Sequence, residues 1–204
     1  MITVANFRHG IKDGDLITRS CLFEIRANGI PALNELIPRA KRVVIHLGTG
    51  WYRTRQTVEA YAYYLRESGH GDKLAPFRIR SSPKLGSKKM FSEMTADAEL
   101  AKTAEKKGWT YAISNSQNQK WQRTRERMSM AMNSILTYLE DDDLCITIGH
   151  NGIIETFGHM LSPEIISDNL NLKELEGIIF EADATKKEYD PTCTWWWERA
   201  EKEE

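Results

Sequence analysis

Apolar residues follow two periods along this chain. Residues 2–7 (Ile-Thr-Val-Ala-Asn-Phe), 42–47 (Arg-Val-Val-Ile-His-Leu) and 144–148 (Leu-Cys-Ile-Thr-Ile) are short alternating or β-branched runs with glycines close behind. Runs of this kind predict buried strands. Residues 77–80 form a shorter strand candidate, and 177–182 (Gly-Ile-Ile-Phe-Glu-Ala) predicts a late strand at a sheet edge. Between these runs the period lengthens to that of a helix. One helix is predicted from about Asn28, a capping residue, to 38–41, with Pro31 in its first turn and Ile30, Leu33, Leu36 and Ile37 on one face. A second starts near Tyr52 and closes near Gly69, with Val58, Tyr61, Ala62 and Leu65 on one face. A third covers 123–139, and a short one 153–161. Residues 16–27 fit neither period. Strands alternating with helices predict an α/β fold, a three-layer α/β/α arrangement around a mostly parallel sheet.

Residues 81–120 are the least regular part, with a helical pattern only near 97–107. They are too short and too polar to build a core of their own. The expectation is an insertion or cap over the strand carboxyl ends, inside a single domain spanning 1–204. Trp195, Trp196 and Trp197 read as packing or an interface, and residues 198–204 as a frayed charged tail.

Composition narrows the classes. The chain has 204 residues and is 41% hydrophobic, enough for one sizeable core. With 28 basic and 29 acidic side chains its formal net charge is −1. No global field therefore points to nucleic acid or an anionic membrane, and any charged ligand must be met by local clustering. No apolar run approaches the length of a membrane span. The three cysteines, Cys21, Cys145 and Cys193, lack metal-ligand spacing and fit a reducing compartment. The expectation is a cytoplasmic protein with no metal, no cofactor and neither a nucleic acid nor a membrane as partner; oligomeric state is left open.

The candidate chemistry lies at strand ends. The first strand runs into Arg8-His9-Gly10, the second is followed by a helix with Arg53 in its first turn, and the third ends at Gly149-His150-Asn151-Gly152. In a parallel sheet the carboxyl ends share one edge, where such folds bind ligands. A guanidinium at a helix N-terminus is electrostatically misplaced unless an anion binds there. Two guanidiniums and two imidazoles on one edge suit phosphate, whose oxygens match the fork of arginine donors. Neighbouring arginines disfavour the imidazolium, so His9 would be neutral near pH 7 and able to attack phosphorus. Catalysis is then positioning and charge stabilisation. Lys12, in the loop after Gly10, could reach an anion. His46 reads as a core or rim histidine, and Lys84, Lys88 and Lys89 as a solvated charge run that could draw in a polyanion.

Arg8-His9-Gly10 after a strand, Arg53-Thr54-Arg55-Gln56-Thr57-Val58 opening a helix, and Gly149-His150-Asn151-Gly152 after a late strand resemble the histidine phosphatase superfamily, the phosphoglycerate mutase-like proteins. The second motif there reads approximately S-x-x-x-R-A-x-x-T-A; Thr49, Arg53 and Thr57 stand in its serine, arginine and threonine positions. The resemblance spans 2–157 in the right order. It implies His9 as the phosphorylated nucleophile, with Arg8, Arg53 and His150 holding the phosphate and no metal required. Gly10, Asn151 and Lys12 join these as substrate-binding candidates. Two features depart from the family. The stretch that usually carries a catalytic acid, L-x-E-x-x-x-G, corresponds to Pro83-Lys84-Leu85-Gly86-Ser87-Lys88, without a carboxylate. The nearest downstream candidate acid is Glu93, whose plain reading is a solvated loop glutamate. The glycine- and glutamate-rich stretch associated with mutases is also missing. The reading is a phosphatase of a small phosphorylated metabolite or a phosphoprotein; a non-catalytic phospho-ligand module and a phosphomutase are the alternatives.

Overall fold

A computed structural model describes residues 1–14 and 16–197. The strands are β1 (Ile2–Arg8), β2 (Lys12–Asp13), β3 (Leu16–Ile17), β4 (Arg42–His46), β5 (Leu74–Ile79), β6 (Asp143–Gly149), β7 (Gly177–Asp183) and β8 (Glu188–Trp197). The helices are α1 (Arg19–Glu24), α2 (Ile30–Leu33), α3 (Tyr52–Leu65), α4 (Lys88–Ala96), α5 (Ala98–Asn115), α6 (Gln119–Leu136) and α7 (Ile154–Leu161). Six strands form the central sheet in the order β5-β4-β6-β1-β7-β8, and β2 and β3 make a separate small ribbon. β5, β4, β6 and β1 run parallel; β7 and β8 are antiparallel to their neighbours.

Alternation along each strand sorts the core into two layers. Ile2 and Val4 of β1, Val44 of β4, Cys145 of β6, and Ile178, Phe180 and Ala182 of β7 face α4 to α7. Ala5 and Phe7, Val43 and Ile45, Leu144, Ile146 and Ile148, and Ile179 face α1 to α3. Successive strand side chains point to opposite faces, so helices on both sides require near-continuous apolar runs, which β4 and β6 have. Phe7, fully buried and stacked on Tyr61 at 5.6 Å, contributes roughly 2–3 kcal/mol from removal of its ring from water.

Several expectations need correction. β7 is not an edge strand, because β8 pairs along it and takes the edge. The β8 run contains Pro191, which discourages a strand reading, but an edge strand tolerates a missing donor. The first helical segment starts at Arg19 instead of Asn28, because Thr18 caps it by accepting from the Cys21 N–H at 3.2 Å. Residues 81–120 are not irregular. They hold a short turn at Pro83–Leu85, then α4 and α5, each capped by its preceding side chain: Ser87 accepts from the Met90 N–H and Asp97 from the Leu100 N–H. Leu85, Met94, Leu100, Ala112 and Ile113 from this segment are buried in the same layer as the strands. α6 begins at Gln119 and not at 123, under an Asn118 cap. Trp195 is partly exposed; the side chains of Trp196 and Trp197 and all of residues 198–204, the expected tail, lie outside what is described.

Candidate active site

The parallel pairing places the ends of β1, β4 and β6 on one edge. Arg8 is in register with Gly149, and the His9 N–H donates to the Gly149 carbonyl at 3.1 Å. His9 and His150 therefore leave neighbouring strands side by side, with ring centroids 5.0 Å apart. α3 follows the end of β4, and Arg53 in its first turn is buried against the pair, its Nη2 3.4 Å from His150 Nδ1. Thr57 fastens the two motifs together. Its hydroxyl donates to the Arg53 carbonyl at 2.7 Å and accepts from the Gly10 N–H at 3.2 Å. Gly10 has no room for a side chain, since a Cβ there would lie 1.8 Å from Cys21 Sγ.

Hydrogen bonds fix both tautomers. His9 Nδ1 is 2.8 Å from the Gly10 carbonyl oxygen, which can only accept. The proton is thus on Nδ1, and Nε2 keeps its lone pair. At His150 the guanidinium of Arg53 can only donate, so Nδ1 accepts and Nε2 carries the proton. Nε2 donates to the Thr49 hydroxyl at 3.2 Å, Thr49 to Thr54 at 3.2 Å, and Thr54 to the Trp51 carbonyl at 2.9 Å. The direction is unique because each hydroxyl has one hydrogen to give. Burial pushes His9 down to about 4; its hydrogen bond to Gly10 opposes this, and the charges of Arg53 and Arg8 add to it. Burial again, then His9, Arg53, Arg8 and Lys12, push His150 down to about 2. Both rings are neutral at pH 7.

The remaining candidates take varied positions. Arg8 turns its guanidinium to the Leu172 carbonyl and to Glu174, 2.8 Å away. Its charge reaches both imidazoles, but its hydrogen bonds anchor the 172–174 loop. Asn151 donates to Asn171 at 3.2 Å, and Lys12 is an exposed residue of β2. Glu93 is not against the histidines. It lies on α4 beside Lys120 Nζ at 3.3 Å, in the wall of a separate cavity. Arg55 pairs with Glu59 on the surface, and His46 is a buried residue whose Nδ1 accepts from the Gly48 N–H at 3.1 Å. Among the described residues no group of three His, Cys, Asp or Glu side chains is placed to hold a metal ion.

The wall around His150 was missed from sequence. Trp51 and Phe91 each present a ring centroid 5.0 Å from His150, and the Arg53 guanidinium lies 4.0 Å from the Trp51 ring centre. Gly86, at φ 122°, fits where a Cβ would be 3.2 Å from His150 Cδ2. An aromatic residue between a glycine turn and an arginine opening a helix was a readable signal for Trp51. Phe91 comes from α4, and nothing in its sequence position points at His150.

The fold is similar to that of several solved structures. Among solved structures, Bacillus stearothermophilus YhfR is similar at 13% identity and TM-score 0.57, over 93% of this chain and 95% of that one. The mycobacterial glucosyl-3-phosphoglycerate phosphatase Rv2419c in complex with VO3 is similar at 12% identity and TM-score 0.52, over 96% of each chain. An Escherichia coli protein described as a putative alpha-ribazole-5'-P phosphatase is similar at 11% identity and TM-score 0.51, over 93% of each. No family model and no curated protein matches the sequence.

Proposed function

We propose that this chain is a metal-independent phosphatase that works through a phosphohistidine intermediate on His9. The observation that carries the reading is the Nδ1–H to Gly10 carbonyl bond, which leaves Nε2 of a neutral, buried imidazole as an attacking lone pair beside Arg53 and His150. In the first step a bond forms between Nε2 and phosphorus, the bond from phosphorus to the leaving oxygen or nitrogen breaks, and its electron pair goes to the leaving group. In the second, water attacks phosphorus, the P–N bond breaks, and phosphate departs. Arg53, with Arg8 contributing charge from the loop side, offsets the negative charge on the equatorial oxygens. A bound phosphoryl dianion also counters the cations that depress His150, which favours its protonation and a second donor to the oxygens.

Among the described residues no carboxylate is hydrogen-bonded to either imidazole, which favours leaving groups that need little protonation, such as acyl phosphates and phosphoramidates. A general acid contributes about 10²–10⁴-fold where the leaving group is a poor one. The fold similarity to proteins described as phosphatases supports hydrolysis. The same missing carboxylate, together with the Arg8–Glu174 pair, favours the second reading, a module that binds a phosphorylated small molecule or protein without turning it over. The test is phosphate release from an aryl phosphate and an acyl phosphate by wild type and His9→Ala. Release by wild type that disappears in the variant, with an acid-labile phosphoenzyme trapped only in wild type, is the expected result. Equal release by both overturns the role of His9. Phosphate binding without release by wild type selects the second reading.

A further inference from the structure

One cavity lies next to the His9–His150 centre without belonging to it. It holds about 260 Å³ and is lined by Lys84, Ser87, Lys89, Glu93, Thr124 and Arg127, together with Met90. Lys84 and Lys89 come from the turn before α4 and its first turn, and Thr124 and Arg127 from α6. The three cations are exposed, and none has a hydrogen bond or ion pair among the described residues. The one carboxylate in the wall, Glu93, is engaged by Lys120 at 3.3 Å.

The sequence around the cavity is unusually cationic for a chain whose net charge is −1. Residues 74–92 carry five Lys or Arg and no Asp or Glu, and residues 116–127 carry four against Glu126 alone. Gathering like charges costs energy unless an anion shares the site. Here the Ser87 hydroxyl, which accepts from the Met90 N–H, stands among the cations and keeps its hydrogen to donate to the same oxygens.

The cavity and the reaction centre share a wall. Gly86 packs on the His150 ring and the next residue, Ser87, lines the cavity; Phe91 contacts His150 while Met90 lines the cavity. Consecutive Cα atoms are about 3.8 Å apart, so the two sites are one residue's step from each other along this segment. Lys88, between Ser87 and Lys89 in the chain, has its Nζ 5.4 Å from the centre of the Trp51 ring that flanks His150.

We propose that this cavity is a second phosphate subsite, and that the substrate carries two phosphoryl groups, one delivered to His9 and the other held by Lys84, Lys89 and Arg127. This deepens the phosphatase reading and rests on it. The second phosphate anchors the ligand, so its contacts lower KM and leave the chemistry at His9 unchanged.

The test uses a homologous series of α,ω-alkanediol bisphosphates, the matching alkyl monophosphates and an aryl monophosphate, with wild type and Lys89→Gln/Arg127→Gln. Both altered residues are exposed and outside the catalytic centre. The expected result is an optimum chain length in the bisphosphate series for wild type. In the variant KM for that compound rises at least about tenfold, the equivalent of one charge-assisted contact, while aryl phosphate kinetics stay unchanged. Equal losses on both substrate types, or no change on either, overturn the subsite while leaving the phosphatase reading intact. If wild type releases phosphate from nothing, the phosphatase reading has failed, and calorimetry with pyrophosphate decides the subsite by itself. Weaker binding by the variant supports it, and equal binding refutes it.

Discussion

Acidification should destabilise this protein steeply, and the amount follows from four buried groups. His9, His46 and His150 are each nearly inaccessible and pushed down to about 4, about 4 and about 2, in each case chiefly by burial. An unfolded histidine titrates near 6.5, so between 6.5 and the folded value the unfolded chain binds the extra proton. The stability due to neutral burial is complete above pH 6.5 and is lost as pH falls through that window. From pH 7 to pH 5 each histidine costs about 2 kcal/mol, or roughly 6 for the three. Glu155 has the opposite sign. Its fully buried carboxyl is pushed up to about 7 by burial, only partly offset by backbone N–H donors such as that of Leu172. The folded state holds that proton more tightly, and acidification over the same range returns about 2 kcal/mol. The net loss is about 4 kcal/mol, a large part of the 5–15 kcal/mol typical of a domain. At roughly 2–4 °C per kcal/mol for a chain of this size, the melting temperature falls by about 8–16 °C. Thermal melts followed by calorimetry at pH 7, 6 and 5 measure this. His46→Gln, at a ring bonded to Thr147 and the Gly48 N–H and not to the His9–His150 pair, should remove about a third of the gross histidine loss, roughly 2 kcal/mol. A melting temperature that is flat from pH 7 to 5, or the same pH dependence in His46→Gln, refutes the reasoning.

Two further substitutions probe the site. Gly10→Ala places a Cβ against Cys21 Sγ and should cost about 1–3 kcal/mol in urea unfolding, with reduced turnover as His9 is displaced; adding Cys21→Ala should recover most of both losses. Glu93→Gln should leave kcat on aryl and acyl phosphates within about twofold, because Glu93 faces Lys120 and not the imidazoles; a loss of order 10² on the ester alone would make it the acid.

The strand and helix pattern was readable where one physical cause acted alone. β4 and β6 are buried on both faces, so their runs of Val, Ile and Leu announce themselves, and β1 shows an alternating pattern. α3 shows its apolar face at helical spacing. Reading failed where the cause was nonlocal. β8 forms because β7 offers an open edge, and its own residues include a proline that argues against it. Residues 81–120 are mixed in polarity because one side joins the shared core while the other carries the charges of a cavity wall.

What the sequence by itself determined is the order of the three motifs and their attachment to strand ends, since local periodicity places Arg8-His9, Arg53 and His150 relative to their own elements. Only the tertiary structure decided which side chains meet. Parallel register sets His9 against His150, the Gly10 carbonyl holds the proton on His9 Nδ1 and leaves the lone pair on Nε2, and the 172–174 loop draws Arg8 toward Glu174. Glu93 and Phe91 show the difference most plainly. They sit two residues apart on one helix, yet successive side chains on a helix are turned about 100° from one another, so one reaches the imidazole and the other the cavity beside it.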